Sequence, residues 1–500
     1  MSPPYILAID QGTTSSRALV VDYEGMVVGQ GQQAFTQHFP RPGWVEHDPE
    51  EIWRATGGAV AAALREAGFG PRGLAAIGIT NQRETVVLWD RATGEPVGPA
   101  IVWQDRRTAG ICAEFKDQGH ESMFAEATGL TLDPYFSGTK LTWMFRNDPG
   151  LRRRAEAGEL AAGTIDSWLV WKLTGGARHV TDYTNASRTL LFNIVKGHWD
   201  DDLCEILEVP RGILPRTQPS KSPFGWTDGN VFGAEVRITG VAGDQQAALV
   251  GQVCLRQGQA KNTYGTGCFL LAPAGPRAHP SQNRMLVSLS AEAGVNGPDY
   301  VLEGSVFVAG ALVQWLRDEL GLIRESSDIE ALAAGVPDSG GVQIVPAFTG
   351  LGAPDWDPTA RGAILGLTRG TTRAHIARAA LDAIALSSAE LIRCMNADLP
   401  GPITELRVDG GAARNDLLMQ IQADAAGVPV VRPANIETTA MGAAYLAGLG
   451  AETWANEEEI AALWKADRTF EPCTTEDERA ERLGNWRRGV ERALGWAMPE

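Results

Sequence analysis

The sequence predicts an α/β protein made of two related domains that face one another across a cleft. Three observations predict it. An apolar run, a Gly/Thr/Ser turn and a second apolar run occupy residues 6–22, and the same pattern returns at residues 260–271. Between and beyond these hairpins, short apolar strands alternate with stretches of helical pattern. The chain has 500 residues, too many for one ordinary core, so domains over 1–250 and 251–500 are expected.

The composition narrows the class of function. Hydrophobic residues make up 44% and charged residues 21%, as in globular chains. A net charge of −17 argues against broad binding to nucleic acid or an anionic membrane, and it requires that an anionic substrate be held by local donors and a metal. Cys112, Cys204, Cys254, Cys268, Cys394 and Cys473 form no C-x-x-C pair, and the seven histidines are scattered. Reduced thiols in the cytoplasm and no zinc site are the expectation. Met1-Ser2-Pro3-Pro4 carries no basic lead and Asp10 interrupts the first apolar run, so no secretory signal is expected. No apolar segment nears the roughly 20 residues that cross a bilayer.

The first hairpin reads Ile6-Leu7-Ala8-Ile9-Asp10-Gln11-Gly12-Thr13-Thr14-Ser15-Ser16-Arg17 before its second strand. Backbone N–H groups and small hydroxyls cluster around Gly12, where a missing Cβ lets a phosphate approach. Arg17 adds a fixed charge, and Asp10 is an acceptor suited to hydrated magnesium. The turn joins strand to strand and lacks Gly-Lys-Ser/Thr, so it is not a Walker loop. A plain polar turn is the alternative, and the second copy around Gly265-Thr266-Gly267 favours a nucleotide held between two halves.

Asp48, Pro49 and Glu51 predict a helix start with a capping box, running through the alanines to Gly68. Strands are predicted at 74–79, 86–89 and 100–103, the first delivering Arg83 and Glu84 beyond its end. Such strand ends are where α/β sheets place ligand contacts. The pair is either a surface ion pair or a donor and an acceptor for the vicinal hydroxyls of a polyol. Tyr135 stands in a loop before an apolar-faced helix in which Trp143 and Phe145 read as core. Residues 163–173 read as strand end and helix, and 181–187 as a polar loop. At 238–250 a strand ends in Gly-Asp-Gln before a small-residue helix, so Asp244 is either an N-cap or a carboxylate for an attacking hydroxyl. A buried helix is predicted over 304–316, capped by Ser305, with Gly310 and Gln314 on one face. Residues 346–356 read as loop, 362–367 as strand, 375–397 as a long helix, 406–416 as strand, Gly-Gly turn and helix, and 475–494 as a structural helix opened by a Thr475/Glu478 capping box.

With these pieces in view, the sequence resembles the FGGY carbohydrate kinases from residue 5 to about residue 449. The resemblance rests on Asp-Gln-Gly-Thr-Thr-Ser-Ser-Arg at 10–17, Gly-Ile-Thr-Asn-Gln-Arg-Glu-Thr at 78–85 and Asp-Pro-Tyr-Phe-Ser-Gly-Thr-Lys at 133–140. Gly-Val-Ala-Gly-Asp-Gln-Gln-Ala at 240–247, Asn-Thr-Tyr-Gly-Thr-Gly at 262–267 and Val-Asp-Gly-Gly at 408–411 complete it. It implies duplicated actin/hexokinase-like (ribonuclease H-like) ATPase domains flanking a central cleft. The first half would bind substrate and phosphate, and the second the nucleotide. The implied cofactors are ATP and Mg2+. The implied reaction is ATP-dependent phosphorylation of glycerol to sn-glycerol 3-phosphate with release of ADP, the first step of glycerol catabolism.

The resemblance also implies roles for individual positions. Thr13, Thr14, Ser15 and Arg17 would hold the phosphates, with Thr13 near the transferred group. Arg83, Glu84, Tyr135, Asp244 and Gln245 would bind glycerol, and Trp103 and Phe269 would face its carbon backbone. Thr266, Gly310, Gln314, Gly411 and Asn415 would line the nucleotide site. Asp244 would be the general base, and Asp10 and Asp244 would face magnesium, mostly through water. Some relatives carry a regulatory loop with a glycine-rich, arginine-bearing pattern or a phosphorylatable histidine; residues 223–237 have no histidine and lack the full glycine pattern. A homo-oligomer, dimer or tetramer, is expected, with no residue marking its contact. The alternatives are a kinase for another small polyol or ketose, and a non-catalytic actin-like ATPase, in which the Arg83/Glu84/Asp244 set would be idle.

Overall fold

The computed structural model describes residues 5–278, 280–292, 297 and 299–497; Met1–Pro4, which carried the reading of the amino terminus, lie outside them. The first hairpin forms as expected, with Tyr5–Gln11 antiparallel to Ser15–Val21, and it extends to a third strand, Val27–Ala34. Leu74–Asn81 joins the other side of Tyr5–Gln11 in parallel, and Arg237–Gly243 joins Leu74–Asn81 in parallel. Lys221–Trp226 completes a six-stranded sheet.

The second half repeats this order. Gln259–Tyr264 pairs antiparallel with Cys268–Gly275, which pairs antiparallel with Tyr300–Val306. On the other side Glu405–Asp409 and then Val430–Pro433 join in parallel, and two edge strands complete a seven-stranded sheet. Three antiparallel strands followed by two parallel ones, twice in one chain, is duplication read from hydrogen-bonding rather than from composition. The continuous apolar runs that predict the hairpins also match their burial: Ile6, Leu7, Ala8 and Ile9 are all buried, because the sheet is covered on both faces.

Each sheet's last parallel strand feeds a helix toward the other half. Arg237–Gly243 leads into Asp244–Gly251, and Val430–Pro433 leads by a short loop into Thr438–Gly450. Thr438–Gly450 lies on the first sheet, against Tyr5–Gln11, Leu74–Asn81 and Arg237–Gly243, and it crosses Asp244–Gly251. The crossing is backbone on backbone. A Cβ at Gly442 would sit 1.8 Å from the Ala247 carbonyl oxygen, and one at Gly251 would sit 1.9 Å from that of Thr438. Only glycine fits at this separation. The contact fixes the helix whose first residue is Asp244.

Several local expectations change. Asp48 caps Pro49–Ala67 and Gly68 ends it, but the Glu51 carboxylate accepts from the Thr36 backbone at 3.0 Å instead of closing a capping box. The strand after Val97 is only Ala100–Ile101. Residues 181–187 are no surface loop: Val180–Asp182 is a strand and Tyr183–Ala186 a helical turn capped by Asp182. Residues 304–306 continue a strand, and the helix begins at Gly310 after an Ala309 cap, so Ser305 caps nothing. The Thr475/Glu478 capping box forms as predicted. The cysteines are free, with only Cys473 exposed. Among the described residues no helix is long and apolar enough to cross a membrane.

Gly442→Ala is expected to destabilise the fold by roughly 1–3 kcal/mol, the usual cost of overpacking a tight contact, seen as a lower urea midpoint. An unchanged midpoint would contradict the close crossing.

Candidate active site

Arg83 and Glu84 follow directly from the parallel strand Leu74–Asn81, and neither is a surface residue: 2% and 1% of their area is exposed. The chain turns sharply there. Glu84 holds φ at +63°, a conformation that non-glycine residues rarely adopt and that a well-determined surrounding must enforce. The surrounding is a closed set of charges. Arg83 places Nη1 2.6 Å from Glu303 Oε2 and Nη2 2.7 Å from Glu303 Oε1, a bidentate pair. Arg188 donates from Nε to Glu84 Oε1 at 2.7 Å and from Nη2 to Glu303 Oε1 at 3.2 Å. Glu303 is held down at about 2, burial alone pushing it up and Arg188 and Arg83 overcoming that. Burial raises Glu84 in spite of both arginines.

One donor in this set is left over. Arg83 Nε lies 3.2 Å from Asp244 Oδ1, off the hydrogen-bonding direction, and has no hydrogen-bond partner among the described residues. An orphaned buried N–H costs about 1–3 kcal/mol. Asp244 is the first residue of its helix, with Gly243 as the N-cap, so the capping role is taken and its side chain is turned to other work. Its Oδ1 accepts from the Gln245 N–H at 2.7 Å, and 29% of the side chain is exposed. Burial raises its pKa, making it a weaker acid, with Arg83 and Lys261 opposing. Gln245 accepts from the buried Lys261 ammonium, which also donates to Thr263 Oγ1 at 2.9 Å. Burial lowers Lys261 to about 8, against the pull of Asp409 and Asp244.

An aromatic wall faces these groups. Trp103 meets Tyr135 edge-on at 5.7 Å between ring centres and Phe269, from the second half, at 6.1 Å. Trp103 Nε1 donates to Thr13 Oγ1 at 2.9 Å, tying the wall to the first hairpin turn. In that turn the Gly12 N–H bonds the Ser15 carbonyl at 3.0 Å, Ser15 Oγ accepts from Gln32 and Thr14 is exposed. Arg17 is ion-paired with Glu437, the residue before Thr438–Gly450, so a phosphate arriving there competes with a carboxylate. Asp10 pairs in register with Arg17; burial raises its carboxyl to about 6, with Arg17 opposing and the Asp244 charge adding. Two carboxylates that repel across a shared space suit a hard cation held largely by water and phosphate. Among the described residues no group of three or more His, Cys, Asp or Glu could hold an ion without such help.

The nucleotide candidates lie in the second half. The Gly310 N–H bonds the Gly265 carbonyl at 3.0 Å, and Ala309 and Ala311 bond that of Thr266 at 2.8 and 3.1 Å, docking the helix Gly310–Asp318 on the second hairpin turn. A Cβ at Gly310 would stand 2.5 Å from the Gly265 oxygen. Thr266 and Gln314 are exposed, and Gly411 has open space where a Cβ would be. Asn415 caps Asp416–Ala426 through its oxygen. Gln314 and Gly411 are exposed and Asn415 is half-buried, and among the described residues no side-chain hydrogen bond joins the three to one another.

Sequence reasoning missed Glu303, Arg188 and Lys261. A lone acid inside the apolar strand Tyr300–Val306 was the available signal for Glu303. A lysine inside Gln259–Tyr264 was the signal for Lys261.

Two repeated sheet halves that meet at one buried polar centre make the duplicated actin/hexokinase-like fold. The chain belongs to the FGGY family of carbohydrate kinases: the family's N-terminal domain matches residues 5–251 and its C-terminal domain residues 260–451. A glycerol kinase from Aromatoleum aromaticum is 59% identical over 98% of this chain and 99% of its own. One from Dechloromonas aromatica is 58% identical over 99% of each. The crystal structure of Plasmodium falciparum glycerol kinase with ADP superposes with a TM-score of 0.90 at 34% identity, covering 98% of each chain.

Arg188→Met leaves Glu84 without its close partner, and the fold is expected to lose about 3–5 kcal/mol, as when one member of a buried pair is removed. Chemical denaturation measures this; a loss below about 1 kcal/mol would show the ring to be solvated.

Proposed function

We propose that this chain transfers the γ-phosphoryl group of ATP to a terminal hydroxyl of glycerol, giving sn-glycerol 3-phosphate and ADP. The observation that carries the reading is the unpartnered Arg83 Nε beside the carboxylates of Asp244 and Glu84, behind an aromatic wall. A neutral triol needs donors and acceptors together with apolar contact for its carbons. Full-length relatives named glycerol kinase support it.

In this reading Arg83, Glu84, Tyr135 and Gln245 fix the hydroxyls, and Trp103 and Phe269 cover the carbon backbone. Asp244 takes the proton from the attacking oxygen as the bond to the γ-phosphorus forms and the bond to the bridging oxygen of ADP breaks. Thr13, Thr14, Ser15 and Arg17 hold the phosphates from the first hairpin turn. Thr266, Gly310, Gln314, Gly411 and Asn415 seat the nucleoside on the second half. Asp10 and Asp244 would hold magnesium, which neutralises phosphate charge when bound. Phosphoryl transfer asks for in-line positioning and charge stabilisation more than covalent help. The residues before 250 supply most of the substrate site and those after 251 most of the nucleotide site. In this reading the enzyme works in the cytoplasm, where its unpaired cysteines would stay reduced, and assembles as a dimer or tetramer.

Incubation with Mg-ATP and glycerol is expected to yield sn-glycerol 3-phosphate, with little ADP release from dihydroxyacetone or xylulose; preferential turnover of either ketose would reassign the substrate. Asp244→Asn is expected to lower turnover about 10²–10⁴-fold, the range for a lost general base, while ADP affinity stays within about twofold. Retention of more than about a tenth of wild-type turnover would remove Asp244 from that role.

A further inference from the structure

We propose that Glu303, on the second half, is a positioning residue for the substrate site of the first: it sets the direction of Arg83 Nε and keeps the guanidinium from pairing bidentately with Asp244. The inference rests on the glycerol reading above and assigns a part to a residue outside the motifs that suggested it.

The argument begins with geometry. A guanidinium is planar, so fixing both Nη atoms fixes where Nε points. Glu303 fixes both, at 2.6 and 2.7 Å, and Gln246 Oε1 receives Nη1 at 3.1 Å. Glu303 is itself held. Its Oε1 also accepts from Arg188 at 3.2 Å and from Ser305 Oγ at 3.3 Å, and Arg188 is in turn braced by Ser288 Oγ at 3.0 Å. None of the four charged groups of the ring exposes more than 2% of its side chain, so water cannot replace a lost partner.

The competition decides the role. Arg83 has three carboxylates within reach: Glu303, Asp244 at 3.2 Å and Glu84 at 3.9 Å. Without the bidentate hold of Glu303, the nearest charge available to the guanidinium is Asp244. A bidentate pair there would occupy the oxygens that must accept the hydroxyl proton and would withdraw the free Nε from the substrate. Glu303 therefore holds Arg83 to a single Nε approach to Asp244 at 3.2 Å, short of a bidentate pair. It stands on Tyr300–Val306 of the seven-stranded sheet, whereas Arg83 follows Leu74–Asn81 of the six-stranded one, so the polyol site is complete only where the halves meet.

The test uses the full chain with Glu303→Gln, which keeps size but loses the charge, and Glu303→Asp, which keeps the charge but shortens the reach. Folding is followed by near-ultraviolet circular dichroism, and steady-state kinetics is run in glycerol and in ATP separately. The expected result in each folded variant is a KM for glycerol raised about 10–100-fold, with the KM for ATP within about twofold of the unaltered chain. A merely structural residue would lower the active fraction and move neither KM. Unchanged glycerol KM, parallel shifts in both constants, or failure of both variants to fold would each overturn the proposal. Because the unaltered chain's turnover of glycerol is measured alongside, failure here is distinct from failure of the glycerol reading.

Discussion

The ring formed by Arg83, Glu303, Arg188 and Glu84 is the interaction on which the site depends, because it places four charges in a region closed to water. Each would cost several kcal/mol to bury alone, and removal of any one leaves its neighbours uncompensated. The ring is neutral overall and saturates most of its donors with charged acceptors, the arrangement in which burial is tolerated. Glu303 kept ionised at about 2 is the clearest sign that attraction has overcome desolvation there. One consequence is rigidity: the strained backbone at Glu84 persists because its carboxylate is tethered to Arg188. Another is that the single unpaired donor, Arg83 Nε, is presented in a fixed direction rather than left to find a partner.

A rigid ring is useful only if Asp244 is held to the same tolerance, and the glycine crossing supplies that. Asp244–Gly251 and Thr438–Gly450 touch through backbone at Gly251 and Gly442, where no side chain can act as a soft spacer. The same Thr438–Gly450 helix lies on the first sheet and begins one residue after Glu437, the partner of Arg17. The first hairpin turn, the candidate base and the second half are thus linked through one helix.

Much of this was legible in the sequence, and what was not has a common cause. The two hairpins, the strand before Arg83, and the Gly-Asp-Gln turn were readable because strand alternation and turn chemistry are local. The wall of Trp103, Tyr135 and Phe269 was reached only by resemblance, since residues from different strands and loops meet there. The pairing of Glu303 and Arg188 with the Arg83–Glu84 corner was unreadable because contacts between residues 104 to 220 positions apart leave no periodic trace. The misread stretches follow the same rule. Residues 181–187 are polar yet buried, since Asp182 takes five donors, from Thr184, Asn185 and Ser220, that the interior provides. Residues 304–306 lead into the apolar stretch read as one helix, but pairing with Cys268–Gly275 holds them in a sheet.

The proposed division of labour between the halves agrees with the chemistry of the two ligands. A chain with net charge −17 repels a nucleotide triphosphate at long range, so affinity for it must come from contacts that act at close quarters. The hairpin turns are suited to this, offering backbone N–H groups, hydroxyls and one arginine without a basic surface. Glycerol is neutral and gains nothing from a field. It needs fixed donors and acceptors shielded from competing water, and only a buried, self-neutralised cluster can supply charged groups on those terms. Thr266, Gln314 and Gly411 accordingly lie exposed, while Arg83, Glu84, Tyr135 and Gln245 are buried. Enclosure between two halves also answers the hazard of the reaction: water is smaller than glycerol and attacks the same phosphorus. A site whose key arginine is fixed by a residue from the opposite half is aligned only when the halves are together and bulk water is excluded.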